Sequence, residues 1–88
     1  MKIKEGFVVR KVMGNNVVIA TGAQSKKFHG MVKLNDTATE IWNYISEGLE
    51  ADAIYEKMLE KYDVDESLLR ADVKKTIKTL IDQGFVEL

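Results

Sequence analysis

The 88-residue sequence contains no cysteine and no proline, and it has one histidine and one tryptophan. Without cysteine there is no disulfide, no thiol nucleophile, no cysteine-held zinc and no iron–sulfur cluster. His29 has no second histidine, cysteine or serine–aspartate pair to work with, so it reads as a solvated residue on the outer side of a strand. Gly14, Gly22 and Gly30 are scattered and build no phosphate-binding loop. The acidic residues Glu56, Glu60, Asp63, Asp65 and Glu66 fall mostly on exposed helical positions and caps, a poor arrangement for a metal. Neither sign of charge dominates. Thirteen basic and fourteen acidic side chains leave a formal charge of −1, which does not suggest a dedicated nucleic-acid binder but allows a local basic patch. The first residues carry charge, and Arg10 and Lys11 interrupt the apolar run behind them, so neither a signal peptide nor a membrane span is read. These absences argue against an enzyme. A cytoplasmic protein is expected, without catalytic residues, cofactor or metal.

What is present is an ordinary globular balance, 45% hydrophobic and 31% charged, enough for one core in a single domain over residues 1–88. Residues 7–13 are rich in β-branched side chains and predict a first strand. Gly14, Asn15 and Asn16 make a turn, and residues 17–21 a second strand, giving a hairpin. After a polar connection, residues 28–34 alternate. Phe28, Gly30, Val32 and Leu34 fall on one face, and Lys27, His29, Met31 and Lys33 on the other. Three short strands at this spacing predict an antiparallel meander.

At Asn35 the period changes. Ala38, Ile41, Trp42 and Ile45 recur at helical spacing, so a first helix is expected over about residues 36–47. Asn35 is a candidate N-cap, and Thr37 with Glu40 offers a second one of capping-box form. Gly48 is placed to end the helix. A second helix, about residues 51–62, carries Ile54, Tyr55, Met58, Leu59 and Tyr62 on one stripe. Asp65 caps a third, about residues 66–83, which buries Leu69, Val73, Ile77 and Leu80, with Leu68 and Ile81 flanking. Gly84 closes it, and residues 85–88 read as an extended tail returning to the core. The expected class is α+β and winged-helix-like: a three-stranded antiparallel sheet followed by a three-helix bundle, with the tryptophan helix at the centre.

Two surfaces invite a partner. Arg70, Lys74 and Lys78 are spaced four apart on the third helix, with Lys75 beside them. In a winged helix this would be the recognition helix, so a DNA-binding regulator is one reading. Against it, the helix start lacks residues suited to base reading, and Glu66 and Asp72 share the helix. The other surface is the strand over residues 28–34. In a meander paired in order it is an edge, with main-chain groups open to an added strand. Its outward charges guard against aggregation and would also suit a peptide with acidic residues. The same edge could pair with a second copy, so the expected state is a monomer or a weak homodimer.

The run Leu34-Asn35-Asp36-Thr37-Ala38-Thr39-Glu40-Ile41-Trp42 resembles the Leu-Asn-x-Thr-Ala/Gly-x-x-Ile-Trp signature of PqqD-like proteins. These are the small peptide chaperones of pyrroloquinoline quinone biosynthesis and their wider relatives. The agreement continues through Gly48, Ile54, Leu59, Tyr62, Ala71-Asp72-Val73, Leu80 and Gly84-Phe85-Val86. The resemblance implies a RiPP recognition element, a domain that binds the leader of a ribosomally made precursor peptide. Such a domain presents the leader to a modifying enzyme, often a radical SAM enzyme. It implies that the leader adds as a strand to the third strand and lies in the groove against the third helix. On this sequence the implied peptide-binding residues are Phe28, His29, Gly30, Met31, Val32, Lys33 and Leu34 with Arg70, Val73, Lys74 and Ile77. Ile77 is the expected groove floor. Two flanks of the helix compete for the groove, one with Arg70 and Lys74 and the other with Asp72 and Thr76.

Overall fold

The computed structural model describes residues 1–26 and 31–88. In chain order the elements are β1 (Lys2–Ile3), β2 (Phe7–Val12), β3 (Asn15–Ala20), a 3-10 turn (Gly22–Lys26), β4 (Val32–Leu34), α1 (Asp36–Ser46), α2 (Ala51–Lys61), α3 (Glu66–Asp82) and β5 (Val86–Glu87). β2, β3 and β4 form the antiparallel meander in sequence order. Of the expected third strand, Phe28, His29 and Gly30 lie outside the described residues, and so does Lys27. Met31 precedes β4 and is exposed. No helix among the described residues is long and apolar enough to cross a membrane.

The hairpin turn is tighter than the sequence suggests. Val12 pairs with Asn15, so only Met13 (φ 51°) and Gly14 (φ 82°) lie between the strands. Two central residues with positive φ make a type I′ turn, whose twist matches that of the strands it joins. Asn15 and Asn16 therefore belong to β3. This turn sets the phase of the whole sheet. Its closing pair, Val12 and Asn15, exchanges main-chain hydrogen bonds, and bonded pairs recur at every second residue of an antiparallel ladder. Asn16 and Val18 therefore direct their peptide groups to β4, where their partners are Leu34 and Val32. The N–H and C=O of Lys33 consequently point away from β3.

The inner face of the sheet presents Phe7, Val9, Val18, Val32 and Leu34 to the helices, where Ile41, Trp42 and Ile45 of α1, Ile54 and Met58 of α2, and Leu69, Val73, Ile77 and Leu80 of α3 complete the core. Each such burial contributes roughly 1.5–3 kcal/mol. The aromatic that ties sheet to helices is Phe85, fully buried, with its ring 5.0 Å from Phe7 and 5.8 Å from Trp42. Gly84 aims it there. With φ at 84°, Gly84 donates to Ile81 and Phe85 donates to Leu80, both at 2.9 Å. This is a Schellman closure that a side chain at position 84 would strain. The chain after it becomes β5, which pairs antiparallel with β1. The sequence reading anticipated the tail but not β1, because two residues carry no period.

Two caps stand where they were expected. Asn35 accepts from the Ala38 N–H at 2.7 Å, and Asp65 from the Leu68 N–H at 3.1 Å. The alternative capping box does not form: Thr37 lies inside the helix, and the Glu40 carboxylate is engaged elsewhere.

Candidate functional site

Across the open edge of β4 from α3 runs a groove of about 480 Å³. Val32, Lys33 and Leu34 form one wall, and Asn35, Thr37 and Ala38 form the end where β4 passes into α1. The other wall is α3, through Asp72, Lys75, Thr76, Thr79, Leu80 and Gln83. Those helix positions lie three, four, seven, eight and eleven residues after Asp72, a single face at 3.6 residues per turn. The β4 to α1 junction is pinned twice, by the Asn35 cap and by the Asn16 amide donating to Asp36 at 3.1 Å.

Helix geometry explains which expected residues reach this groove. α3 docks on the core through Leu69, Val73, Ile77 and Leu80. The groove stripe starting at Asp72 lies about 100° to one side of Val73. Val73 is fully buried and Ile77 is 8% exposed, both inside the core cluster, so neither floors the groove. Lys74 lies two residues beyond Asp72, about 160° round the helix by the shorter way, and faces away. Arg70 is turned toward α2: its Nε donates to Glu66 at 3.1 Å and its guanidinium sits 4.8 Å from the Tyr55 ring centre. The expected set and the lining of this groove differ on α3. Arg70, Val73, Lys74 and Ile77 do not line the groove, and the flank with Asp72 and Thr76 does. On the strand side, Val32, Lys33 and Leu34 line it, while Phe28, His29 and Gly30 are outside the described residues.

The groove can hold an extended chain. Lys33 turns its main-chain donor and acceptor to the open edge, Val32 and Leu34 are half-buried apolar residues, and Thr76 and Thr79 offer short side chains that leave room. Charge of both signs marks the walls, with Lys33 and Lys75 against Asp72. Among the described residues that line it, none are paired for proton transfer or nucleophilic attack.

A second hollow, of about 270 Å³, adjoins the groove. Met58, Tyr62, Val64, Leu68 and Leu69 line it, together with Thr37 and Asp72, which line the groove as well. The Tyr62 ring is fixed by its hydroxyl, which donates to Glu40 Oε1 at 2.6 Å. Tyr44 donates to Glu40 Oε2 at 3.0 Å, and Lys61 Nζ lies 3.4 Å from Oε1. Partial burial alone would raise the Glu40 carboxyl, but the hydrogen bonds from Tyr62 and Tyr44 and the nearby Lys61 outweigh it and hold Glu40 below its ordinary value. In return, the hydrogen bond to Glu40 raises the Tyr62 hydroxyl, and burial followed by the same carboxylate raises Tyr44. This hollow was not apparent from the sequence. Its only trace is the i, i+4 pair Val64 and Leu68 at the polar start of α3.

Residues 17–86 match the family model described as coenzyme PQQ synthesis protein D (PqqD). The fold is similar to that of TbiB1, solved in complex with the TbiA(beta) leader peptide, at 19% identity and a TM-score of 0.75 over 99% of this chain and 100% of that one. It is also similar to lasso peptide synthetase B1, solved with its leader peptide, at 16% identity and a TM-score of 0.79 over 99% of this chain and 96% of that one. No curated protein matches the sequence. At these identities the two structures speak for the fold.

Proposed function

The chain belongs to the PqqD family, and we propose that it is a non-catalytic chaperone for the leader of a ribosomally made precursor peptide. The leader adds as a strand to β4, lies along the Asp72–Thr76–Thr79 face of α3, and is thereby presented to a modifying enzyme. A radical SAM enzyme is the class that the family resemblance implies. Ribosomal origin of the peptide places the encounter in the cytoplasm.

The observation that carries this reading is the open β4 edge, with Lys33 facing outward across a groove backed by α3. From Asp72 to Gln83 the helix rises about 16 Å, the length of about five residues of extended chain. Main-chain bonds to Lys33 supply sequence-independent pairing, and leader side chains on the inner side of the added strand meet Thr76 and Thr79. Lys33 and Lys75 suit carboxylates on the leader, and Asp72 suits a cation near one end. That both similar structures hold leader peptides supports the same occupant here. The DNA reading has Lys74 and Lys78 exposed, but Arg70 is committed to Glu66 and Tyr55, and no observation favours it over the groove.

An amide chemical-shift titration tests the proposal, using a synthetic peptide selected on this protein from a displayed random library. Shifts in residues 31–34 and along the Asp72, Thr76 and Thr79 face of α3 are expected. Shifts confined to Arg70, Lys74 and Lys78, whether with peptide or with duplex DNA, would move the site to the other flank.

A further inference from the structure

We propose that the modifying enzyme docks on the β2 edge of the sheet, on the far side from the leader groove. It adds an acidic extended segment to that edge and takes the Met13 side chain into an apolar socket. The inference rests on the leader-chaperone reading above and gives the second partner its surface.

Three observations lead to it. The first is a second open edge. Among the described residues β2 is the outer strand on the side away from β4. Counting back from the closing pair of Val12 and Asn15, Arg10 and Val8 bond to β3, so Val9 and Lys11 turn their peptide groups outward. The Val9 carbonyl accepts only a long bond of 3.4 Å from Arg10 Nη1, which an arriving strand can displace. β2 has six residues and β4 three, so this is the longer of the two edges.

The second observation is Met13, 96% exposed at the hairpin tip with φ at 51°. An exposed apolar side chain alone is ordinary. This one holds the first central position of a type I′ turn, where asparagine, aspartate or glycine fits easily and a bulkier side chain is strained. Nothing buried in the free protein offsets that strain. A flexible thioether received by a partner does.

The third observation is charge, and it identifies the occupant. Residues 7–20 carry two cations, Arg10 and Lys11, and no carboxylate. Both are exposed, and among the described residues neither enters an ion pair. Their side chains leave opposite faces of β2, so carboxylates at adjacent positions of an added strand can meet both. A second copy would instead bring four cations onto one short ladder, which like-charge repulsion opposes. The β2 and β4 edges stand two strand spacings apart, about 10 Å. The sheet can therefore hold leader and enzyme at once and fix the distance between them.

The test uses the native chain, with peptides selected on it from a displayed random library standing in for leader and enzyme. Two classes that bind together without competing are expected. One protects the Lys33 N–H from exchange. The other is acidic and protects the N–H groups of Val9 and Lys11. Arg10→Glu should weaken the second class at least about tenfold and leave the first within about twofold. Met13→Asn separates docking from folding. Asparagine suits the turn, so the unfolding midpoint should hold or rise while affinity for the second class falls about fivefold or more. If every selected peptide protects only Lys33, the docking edge is overturned and the leader reading stands. Indifference of the second class to either substitution also overturns it. If peptides protect only Val9 and Lys11, or none is selected, the leader reading falls and the docking inference with it. If the native chain is a dimer that Met13→Asn splits, a second copy occupies the edge and the enzyme does not.

Discussion

The two flanks of α3 are both polar and opposite in circumstance. One carries Arg70, Lys74 and Lys78, with Arg70 drawn onto Glu66 and Tyr55 of its own bundle. The other carries Asp72, Lys75, Thr76 and Thr79 and looks across an open groove at β4, the edge strand among the described residues. The basic flank is the more conspicuous in a sequence because its charges repeat every four residues. The mixed flank is the one placed beside main-chain groups that can bind. Position relative to the core stripe, and not charge density, decides which face of this helix lines the groove.

The sharpest way to break that contrast is at the stripe between the flanks. Ile77→Ala should lower unfolding free energy by about 2–4 kcal/mol, the range for an emptied core position, while the folded protein keeps its peptide affinity. Denaturant unfolding beside a binding isotherm separates the two. Loss of affinity without loss of stability would return Ile77 to the groove floor.

Next in size is Thr76→Trp, which fills the groove from the mixed flank. Peptide affinity should fall about thirtyfold, roughly 2 kcal/mol, with stability nearly unchanged because Thr76 is only half-buried. Binding is read by fluorescence anisotropy.

Glu40→Gln should cost about 1 kcal/mol of stability, a typical value for a weakened hydrogen-bonded charge. It should also loosen the hollow by freeing Tyr62. The folded carboxyl sits below its unfolded value. Its contribution is therefore complete above the ordinary carboxylate range and is lost as pH falls through the lower, folded value. Unfolding midpoints followed from about pH 6 down to about pH 3 should show a drop that Glu40→Gln makes shallower. An identical acid profile in the variant would contradict the clamp.

The smallest expected effect is on the basic flank. Lys74→Glu should change peptide affinity less than about twofold, since an exposed charge on the far side of a helix is screened by solvent. A tenfold loss would reverse the assignment of flanks.

Much of the fold was legible because periodicity and capping are local. The change of period at Asn35, the caps at Asn35 and Asp65, and the core stripe from Leu69 to Leu80 all stand where the side chains put them. The β1–β5 ribbon was not legible, since two-residue strands exist through pairing across the length of the chain. Glu40 was read as a local cap because its spacing from Thr37 is visible, whereas Tyr62, 22 residues away, becomes its partner only when α2 folds back on α1. The groove's flank was ambiguous for a related reason: both flanks are polar, and the docking angle of α3 chooses between them. The outward turn of Lys33 came from the phase of a hairpin whose turn residues had been placed one position late.

That phase supplies the most direct test. Amide hydrogen exchange of residues 31–34 should be measured with and without saturating selected peptide. Val32 and Leu34 already bond to β3, so their exchange should change little, while the Lys33 N–H, which points away from β3, should become strongly protected. Lys33 exchange unaltered by bound peptide would contradict strand addition at this edge.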